Sequence, residues 1–465
     1  MDKQTLLESL KKDFVENHPE SQKAFARTSG KLIGGGSHNL RLMEPYPFYD
    51  VHSSGAYVHD LDGIGYVDFW QGHFSNVLGH NPPQVIEVLR EYMGNGQGLL
   101  TGFPGIHQVE LAEIILKQMN AERIRFTTSG TLASMYAIMM SKAFTKRELV
   151  LKIGGGWHGA QPYALKGISA YSEGLRLLES AGLPGNMDSA ILVTRFNDPQ
   201  DLEDKFASYG DRIACLIIEP FMAAGGFIFG KKSYLKLARE LSLRYGSLLI
   251  MDEVVSGFRF HPGGLQSLYG IQADLSVLGK VIGGGMPVSA VAGRADIMSL
   301  IGSVASRENR VKFDGGTFSA HPLSMAAGRA YLDYLVSHSD QIYPRIGRLG
   351  NRVRHEIETI FRSHGFNVRC TGGNEDIIES SSLVGVHFCR QDVGAIVSPE
   401  QVWNSEISDF DMREKIFKLA MLREGFNTFH GYGAISTAHS EEEIQASVAA
   451  VERIADAWKT AALKY

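Results

Sequence analysis

Between residues 121 and 294, short continuous apolar runs alternate with longer segments of helical periodicity. RIRFTTS (123–129) predicts a strand, and TLASMYAIMMSKAF (131–144) predicts the helix after it. Further strands are predicted at ELVLKI (148–153), AILVTRF (190–196), IACLIIE (213–219), SLLIMDE (247–253) and ADLSVLG (273–279), with amphipathic segments such as KKSYLKLARELSLRYG (231–246) between them. Strands that are apolar on both faces and separated by helices build a mainly parallel sheet covered on each side. In such an α/β fold, ligands bind at the carboxyl ends of the strands.

The flanks have a different pattern. Residues 45–69 alternate like antiparallel strands, with turn signals at Ser53-Ser54-Gly55 and Asp62-Gly63. Beyond residue 325 come a long helical stretch, a strand-like LVGVHFC (383–389) and a last helix starting at Glu441. The pattern divides the chain into 1–80, 81–325 and 326–465, with one large central domain and a smaller α+β domain drawn from both chain ends. Polar, loop-like insertions fall at 371–382 and 390–402.

Composition narrows the function classes. With 44% apolar and 21% charged residues the chain is not disordered. Its 46 basic and 51 acidic residues give a net charge of −5, and no basic stripe with interleaved aromatics is present, so neither nucleic acid nor an anionic membrane is an expected partner. Cys215, Cys370 and Cys389 are widely spaced, which excludes a disulfide framework or a CxxC-type zinc site, and no metal is expected. The N-terminus is charged and helix-patterned with no apolar signal core, and no run nears 18 apolar residues. A soluble cytoplasmic enzyme is the expectation.

Candidate chemistry sits at predicted strand ends. Lys280 ends ADLSVLGK and precedes the glycine turn VIGGGMP. It is either a lysine snorkelling to solvent or one held in a low-dielectric cleft, where its lowered pKa suits Schiff-base formation. Asp252 ends SLLIMDE; it is either a helix cap or partner of Arg259, or the carboxylate that keeps a pyridine nitrogen protonated. The turn Ser129-Gly130-Thr131 opens a helix, where free amides and the helix dipole suit a phosphate as well as a simple cap. No GxxxxGK[ST] or strand-linked GxGxxG offers another phosphate site. Trp157, in GGGWHGAQ, could cover a planar ring or fill a core. Together these residues supply what one pyridoxal cofactor needs.

At this point the chain resembles the class III pyridoxal-phosphate-dependent aminotransferases of fold type I, in particular the branch of glutamate-1-semialdehyde aminomutases and β-amino-acid transaminases. The resemblance is carried by GGGSHNLR, DLDGIGYVDF, LGHNPPQV, TTSGTLASM, WHGA, IIEP, IMDEVVSGFR, LGKVIGGGMPVSAVAGR and GGTFSAHPLSMAAG. It implies pyridoxal 5'-phosphate as cofactor, Lys280 as Schiff-base lysine and proton carrier, Asp252 at the pyridine nitrogen and Val254 under the ring. It implies Trp157 as the stacking aromatic, Ser129, Gly130 and Thr131 at the phosphate, and Glu219 organising the site. Thr317 would reach the phosphate of the other subunit of a homodimer, and Arg41 would bind a substrate carboxylate.

Three departures lie on the substrate side. Leu132 replaces a familiar acid, His321 stands where asparagine is common, and 425–439 lacks the acidic residue expected of a semialdehyde aminomutase. The expected activity is amino transfer between an α- or β-amino acid and an oxo acid or aldehyde by a ping-pong mechanism. A 2,1-aminomutase, or another isomerase or decarboxylase on the same framework, is the alternative, and a cofactor-binding protein without turnover is a third.

Overall fold

In the computed structural model, which describes residues 1–169, 177–302 and 305–463, the central apolar runs form one sheet of seven strands. In chain order the strands are β1 (Asp50–Ser54), β2 (Tyr57–Asp60), β3 (Gly65–Asp68), β4 (Arg123–Thr127), β5 (Leu149–Ile153), β6 (Ile191–Thr194), β7 (Ile213–Ile218), the hairpin pair β8 (Phe221–Met222) and β9 (Ile228–Phe229), β10 (Leu248–Glu253), β11 (Leu275–Leu278), β12 (Ser289–Gly293), β13 (Val368–Thr371), β14 (Leu383–Phe388), β15 (Phe426–Asn427) and β16 (Gly431–Ala434). The central sheet runs β4-β12-β11-β10-β7-β5-β6. From β11 to β6, each adjacent pair of strands is parallel.

β7 and β10 are buried along their whole length, as their uninterrupted apolar sequences require. Alternate residues face opposite ways. Leu248 and Ile250 pack with Ala133, Ala137 and Ile138 of helix Gly130–Thr145. Leu249 and Met251 pack with Leu235, Ala238 and Leu241 of helix Lys232–Tyr245 on the other face.

β12 is absent from the predicted strands and is antiparallel to both β4 and β11. Its sequence, SAVAG, carries too little bulk for a hydrophobic period, yet all of it is buried. Small residues are what this place demands: a Cβ on Gly293 would lie 2.4 Å from the Asp274 carbonyl oxygen.

The two chain ends meet in a second sheet, β1-β2-β3-β15, where β15 runs parallel to β3. A third sheet, β13-β14-β16, is antiparallel. The expected 390–402 loop contains the short helix Pro399–Trp403, and the 371–382 loop begins on the last residue of β13. Helix Pro322–Ser337 crosses the expected 325/326 boundary and packs on helices Pro83–Gly94 and Ile106–Met119. Among the described residues no helix is long and apolar enough to cross a membrane.

Helix Pro322–Ser337 also braces the turn that follows β11. Gly328 faces that turn so closely that a Cβ would sit 2.4 Å from the Ile282 carbonyl oxygen and 3.1 Å from Leu111. Helix propensity alone favours Gly328→Ala by about 1 kcal/mol, but overpacking against fixed backbone costs about 1–3 kcal/mol. The expected net result is a protein less stable by about 1 kcal/mol or more in urea unfolding. A neutral or stabilised variant would show that the turn can move away from the helix.

Candidate active site

The carboxyl ends of β4, β11, β10, β7 and β5 deliver Ser129, Lys280, Asp252, Glu219 and Trp157 to one edge of the central sheet. The parallel topology therefore collects residues that are far apart in sequence, as expected at the ligand edge of such a sheet.

Asp252 is buried at the last turn of β10. Its Oδ2 accepts a hydrogen bond from Nδ1 of the fully buried His158 at 2.7 Å, and its Oδ1 accepts one from the Val254 amide at 3.0 Å. Burial lowers the His158 pKa, so the neutral ring with its proton on Nδ1 is the form that suits this carboxylate. Arg259 does not pair with Asp252. It donates instead to Ser382 Oγ at 3.1 Å and to the Ile435 carbonyl at 2.9 Å. The adjacent acid, Glu253, points away from the cleft and accepts hydrogen bonds from the Leu265 amide at 3.0 Å, the Gln266 amide at 2.8 Å and the Ser256 hydroxyl. Of the two consecutive acids, only Asp252 bonds His158.

Lys280 lies two residues beyond β11 with φ +49°, a left-handed conformation that costs a non-glycine residue roughly 1–2 kcal/mol. Its ammonium makes no hydrogen bond or ion pair among the described residues. Burial lowers its pKa, while Asp252 and Glu219 oppose that shift. Glu219 is buried after β7, accepting from the Trp157 amide at 2.9 Å and the Ala223 amide at 3.3 Å. Burial and the neighbouring Asp252 raise its pKa.

Val254 forms an apolar floor between two glycines. A Cβ on Gly130 would come within 3.0 Å of its methyls, and one on Gly279 within 3.2 Å. Ser129 caps helix Gly130–Thr145 by accepting from the Leu132 amide at 3.3 Å. The amides of Gly130 and Thr131 have no partner among the described residues, so the start of this 16-residue helix presents free N–H groups. The Trp157 ring is 44% exposed although its backbone is fixed by Glu219. Its loop is also tied down by the fully buried Lys152, whose ammonium donates to the Gly156 carbonyl at 3.1 Å and the Lys166 carbonyl at 2.7 Å. Burial pulls the Lys152 pKa down to about 7.

Arg41 donates from Nε to His73 Nε2 at 3.2 Å. The His73 pKa is pushed down to about 3 by burial, with the charges of His38, Arg41 and Lys280 adding to the effect. Thr317 is exposed on the chain, next to Phe318 at 59% exposure.

His158 and His73 were not among the sequence candidates. His158 had a signal, since it follows Trp157 directly behind a glycine run at a strand end. His73 had none, because it reaches the cleft through a left-handed turn in which Gln71, Gly72, His73 and Phe74 all have positive φ.

The donor set fits a pyridoxal phosphate. An unpartnered amine and a buried carboxylate share one edge of the sheet with the apolar Val254, and free amides at a helix start suit the phosphate. A family profile for class-III aminotransferases matches residues 43–373. The chain belongs to the class-III aminotransferase family. It is similar to glutamate-1-semialdehyde 2,1-aminomutase of Akkermansia muciniphila, with 34% identity over 93% of this chain and 98% of that protein. The same enzyme of Aeropyrum pernix is 41% identical over 68% of this chain and 72% of its own length. Among solved structures, a β-phenylalanine aminotransferase from Variovorax paradoxus superposes with a TM-score of 0.85 at 27% identity, covering 98% of each chain. A transaminase with bound pyridoxal phosphate gives 0.82 at 30% identity, covering 96% of this chain and 99% of that one. The protein is a fold type I enzyme dependent on pyridoxal 5'-phosphate.

Burial gives Glu253 a pH-dependent part in stability. Burial raises the Glu253 pKa to about 7, above its usual value of 4.5. Between those values the folded state holds a proton that the unfolded state has lost, so this residue makes stability fall as pH rises through that window. Glu253→Gln is expected to flatten the fall between about pH 4.5 and 7 in urea unfolding measured across pH. An unchanged slope would show that Glu253 ionises normally in the fold.

Proposed function

We propose that this enzyme transfers an amino group between an amino acid and an oxo acid or aldehyde, with Lys280 and Asp252 as its catalytic pair. The observation that carries the reading is the unpartnered Lys280 amine held beside Asp252, whose carboxylate is fixed by His158 at 2.7 Å. When bound, the cofactor supplies a carbonyl that takes up the amino group and a ring that withdraws electrons. Lys280 Nζ removes the proton at the amine-bearing carbon of the substrate and redelivers it, a task suited to a lysine whose pKa burial has lowered. Asp252 holds a proton at the pyridine nitrogen, and His158 keeps the carboxylate aimed there. Ser129, Gly130 and Thr131 bind the phosphate, Val254 and Trp157 flank the ring, and Glu219 positions Trp157 through its amide. Arg41 binds a substrate carboxylate, since its fork pairs with both oxygens.

A homodimer completes the site in this reading. Thr317 is exposed and would meet the phosphate site of a second copy. Phe103 at 80%, Ile106 at 65% and Phe318 at 59% exposure supply apolar surface for that contact. Three free cysteines support a reducing, cytoplasmic setting.

The second reading, intramolecular 2,1-aminomutation, is favoured by relatives of that name aligned over 93% of the chain. Kinetics separate the two: ping-pong behaviour with two substrates supports transfer, and isomerisation of one substrate without an acceptor supports the mutase. The holoenzyme should show a visible absorption band that one amino acid of an α and β panel bleaches. Lys280→Ala should lower that rate by about 10²–10⁴-fold, the usual contribution of a positioned base. No visible band after cofactor is supplied would overturn the reading.

A further inference from the structure

Strand β5 carries a lysine where its pattern calls for an apolar residue. Alternation along LVLKI puts Lys152 on the same face as Val150, which packs with Ala133 and Ala137 of helix Gly130–Thr145. The side chain is fully buried, and its ammonium makes no ion pair among the described residues. Three carbonyls receive it instead: Gly156 at 3.1 Å, Lys166 at 2.7 Å and Gly167 at 3.5 Å. An ammonium has three hydrogens to donate, so the cage uses its whole capacity. A cation buried without an anion is costly, and methionine would fill the same space at no such cost. The value of the ammonium lies in what it holds.

It holds the turn between β5 and His158. The amides of that turn are taken by other elements. Gly154 donates to the Thr194 carbonyl at 2.9 Å, Gly155 to the Gly167 carbonyl at 2.8 Å, Gly156 to the Ile153 carbonyl at 3.2 Å and Trp157 to Glu219 at 2.9 Å. Lys152 closes the carbonyl side by donating to Gly156, and it joins the turn to residues 166–167.

The turn matters because no side chain holds the His158 ring from its far side. Nδ1 bonds Asp252, but Nε2 is buried without a hydrogen-bond partner among the described residues. The aim of the ring is therefore inherited from the backbone. The His158 carbonyl accepts from Ser134 Oγ at 2.6 Å, and Gly156 lies so near that a Cβ on it would come 3.1 Å from Nε2. Lys152 also acts through space: burial lowers the His158 pKa, Asp252 opposes the shift and the Lys152 charge adds to it. The result is a neutral ring that donates from Nδ1 to the carboxylate.

We propose that Lys152 is a positioning residue for the contact between Asp252 and the cofactor's pyridine nitrogen. By closing the turn 154–157 on its carbonyl side, it keeps His158 Nδ1 on Asp252 and the carboxylate aimed at the ring. This rests on the aminotransferase reading, in which Asp252 serves that nitrogen. Lys152 acts through Gly156 and His158 and touches neither cofactor nor substrate.

The test is nitrogen NMR of holoenzyme carrying pyridoxal phosphate labelled at the ring nitrogen. It is run at pH 6, below the value of about 7 to which burial brings Lys152. The parent is expected to show the protonated ring position. Lys152→Met and His158→Phe should each move the signal toward the unprotonated position, and the double variant should move it no further than His158→Phe alone. Lys152→Gln keeps two donor hydrogens on a shorter stem, too few for three carbonyls, and should give a smaller shift in the same direction. In cofactor-free full-length protein, the downfield proton signal of His158 Nδ1–H, identified by its loss in His158→Phe, should be displaced or lost in both Lys152 variants. Thermal melting shows which variants are folded, and Lys152→Gln decides if Lys152→Met does not fold. Folded Lys152 variants that keep both signals at the parent's positions would overturn the proposal. So would an additional shift in the double variant, or unfolding of both Lys152 variants, which would make the residue purely structural. An unprotonated ring nitrogen or no bound cofactor in the parent counts against the aminotransferase reading, and the His158 proton signal still decides whether Lys152 sets the His158–Asp252 contact.

Discussion

The structure turns on the removal of three ionisable groups from water at one place. A parallel sheet gathers its strand ends at a single edge, so Asp252, Glu219 and Lys280 lose hydration together. An unpaired buried charge is expensive, and the two acids are given donors: His158 and the Val254 amide for Asp252, the Trp157 and Ala223 amides for Glu219. The amine alone is left without a hydrogen bond. Much of the surrounding architecture maintains that asymmetry. Lys152 fixes the loop that carries Trp157 and His158, and Gly328 lets helix Pro322–Ser337 press against the turn after Lys280.

Backbone strain is present where these groups meet. Lys280 and the turn 71–74 both use left-handed conformations that disfavour side chains. The turn is over-determined by Asp68, which accepts from the Trp70 amide at 3.0 Å, the Gln71 amide at 2.9 Å and Asn427 Nδ2 at 2.7 Å, and pairs with His80 at 2.8 Å. Asn427 belongs to β15, so the C-terminal part of the chain directly supports the N-terminal turn that brings His73 toward Lys280. The sheet shared by the chain ends is thus part of the site's support.

What could be read from sequence follows from how locally each feature is encoded. Strands apolar on both faces announce a covered parallel sheet, and Lys280 and Asp252 are conspicuous because each ends such a run. β12 was invisible because its packing requires small residues, which leave no hydrophobic period. Arg259 looked like a partner for Asp252 from sequence proximity, but it folds toward Ser382 and Ile435, more than a hundred positions away. A hydrogen-bonded chain, His387–Arg413–Glu414–His430, joins β14, a π-helical turn and the loop before β16, and only tertiary structure places them together.

The distribution of these surprises separates cofactor chemistry from substrate choice. Ser129, Lys280, Asp252, Glu219 and Trp157 all follow strand ends of the central sheet, where register fixes them to the same rigid framework. The surroundings of Arg41 are assembled instead from the turn 71–74 and the 33–41 segment, whose relative placement depends on side-chain contacts such as Arg41 with His73. Changes there leave the sheet, and hence Lys280 and Asp252, untouched.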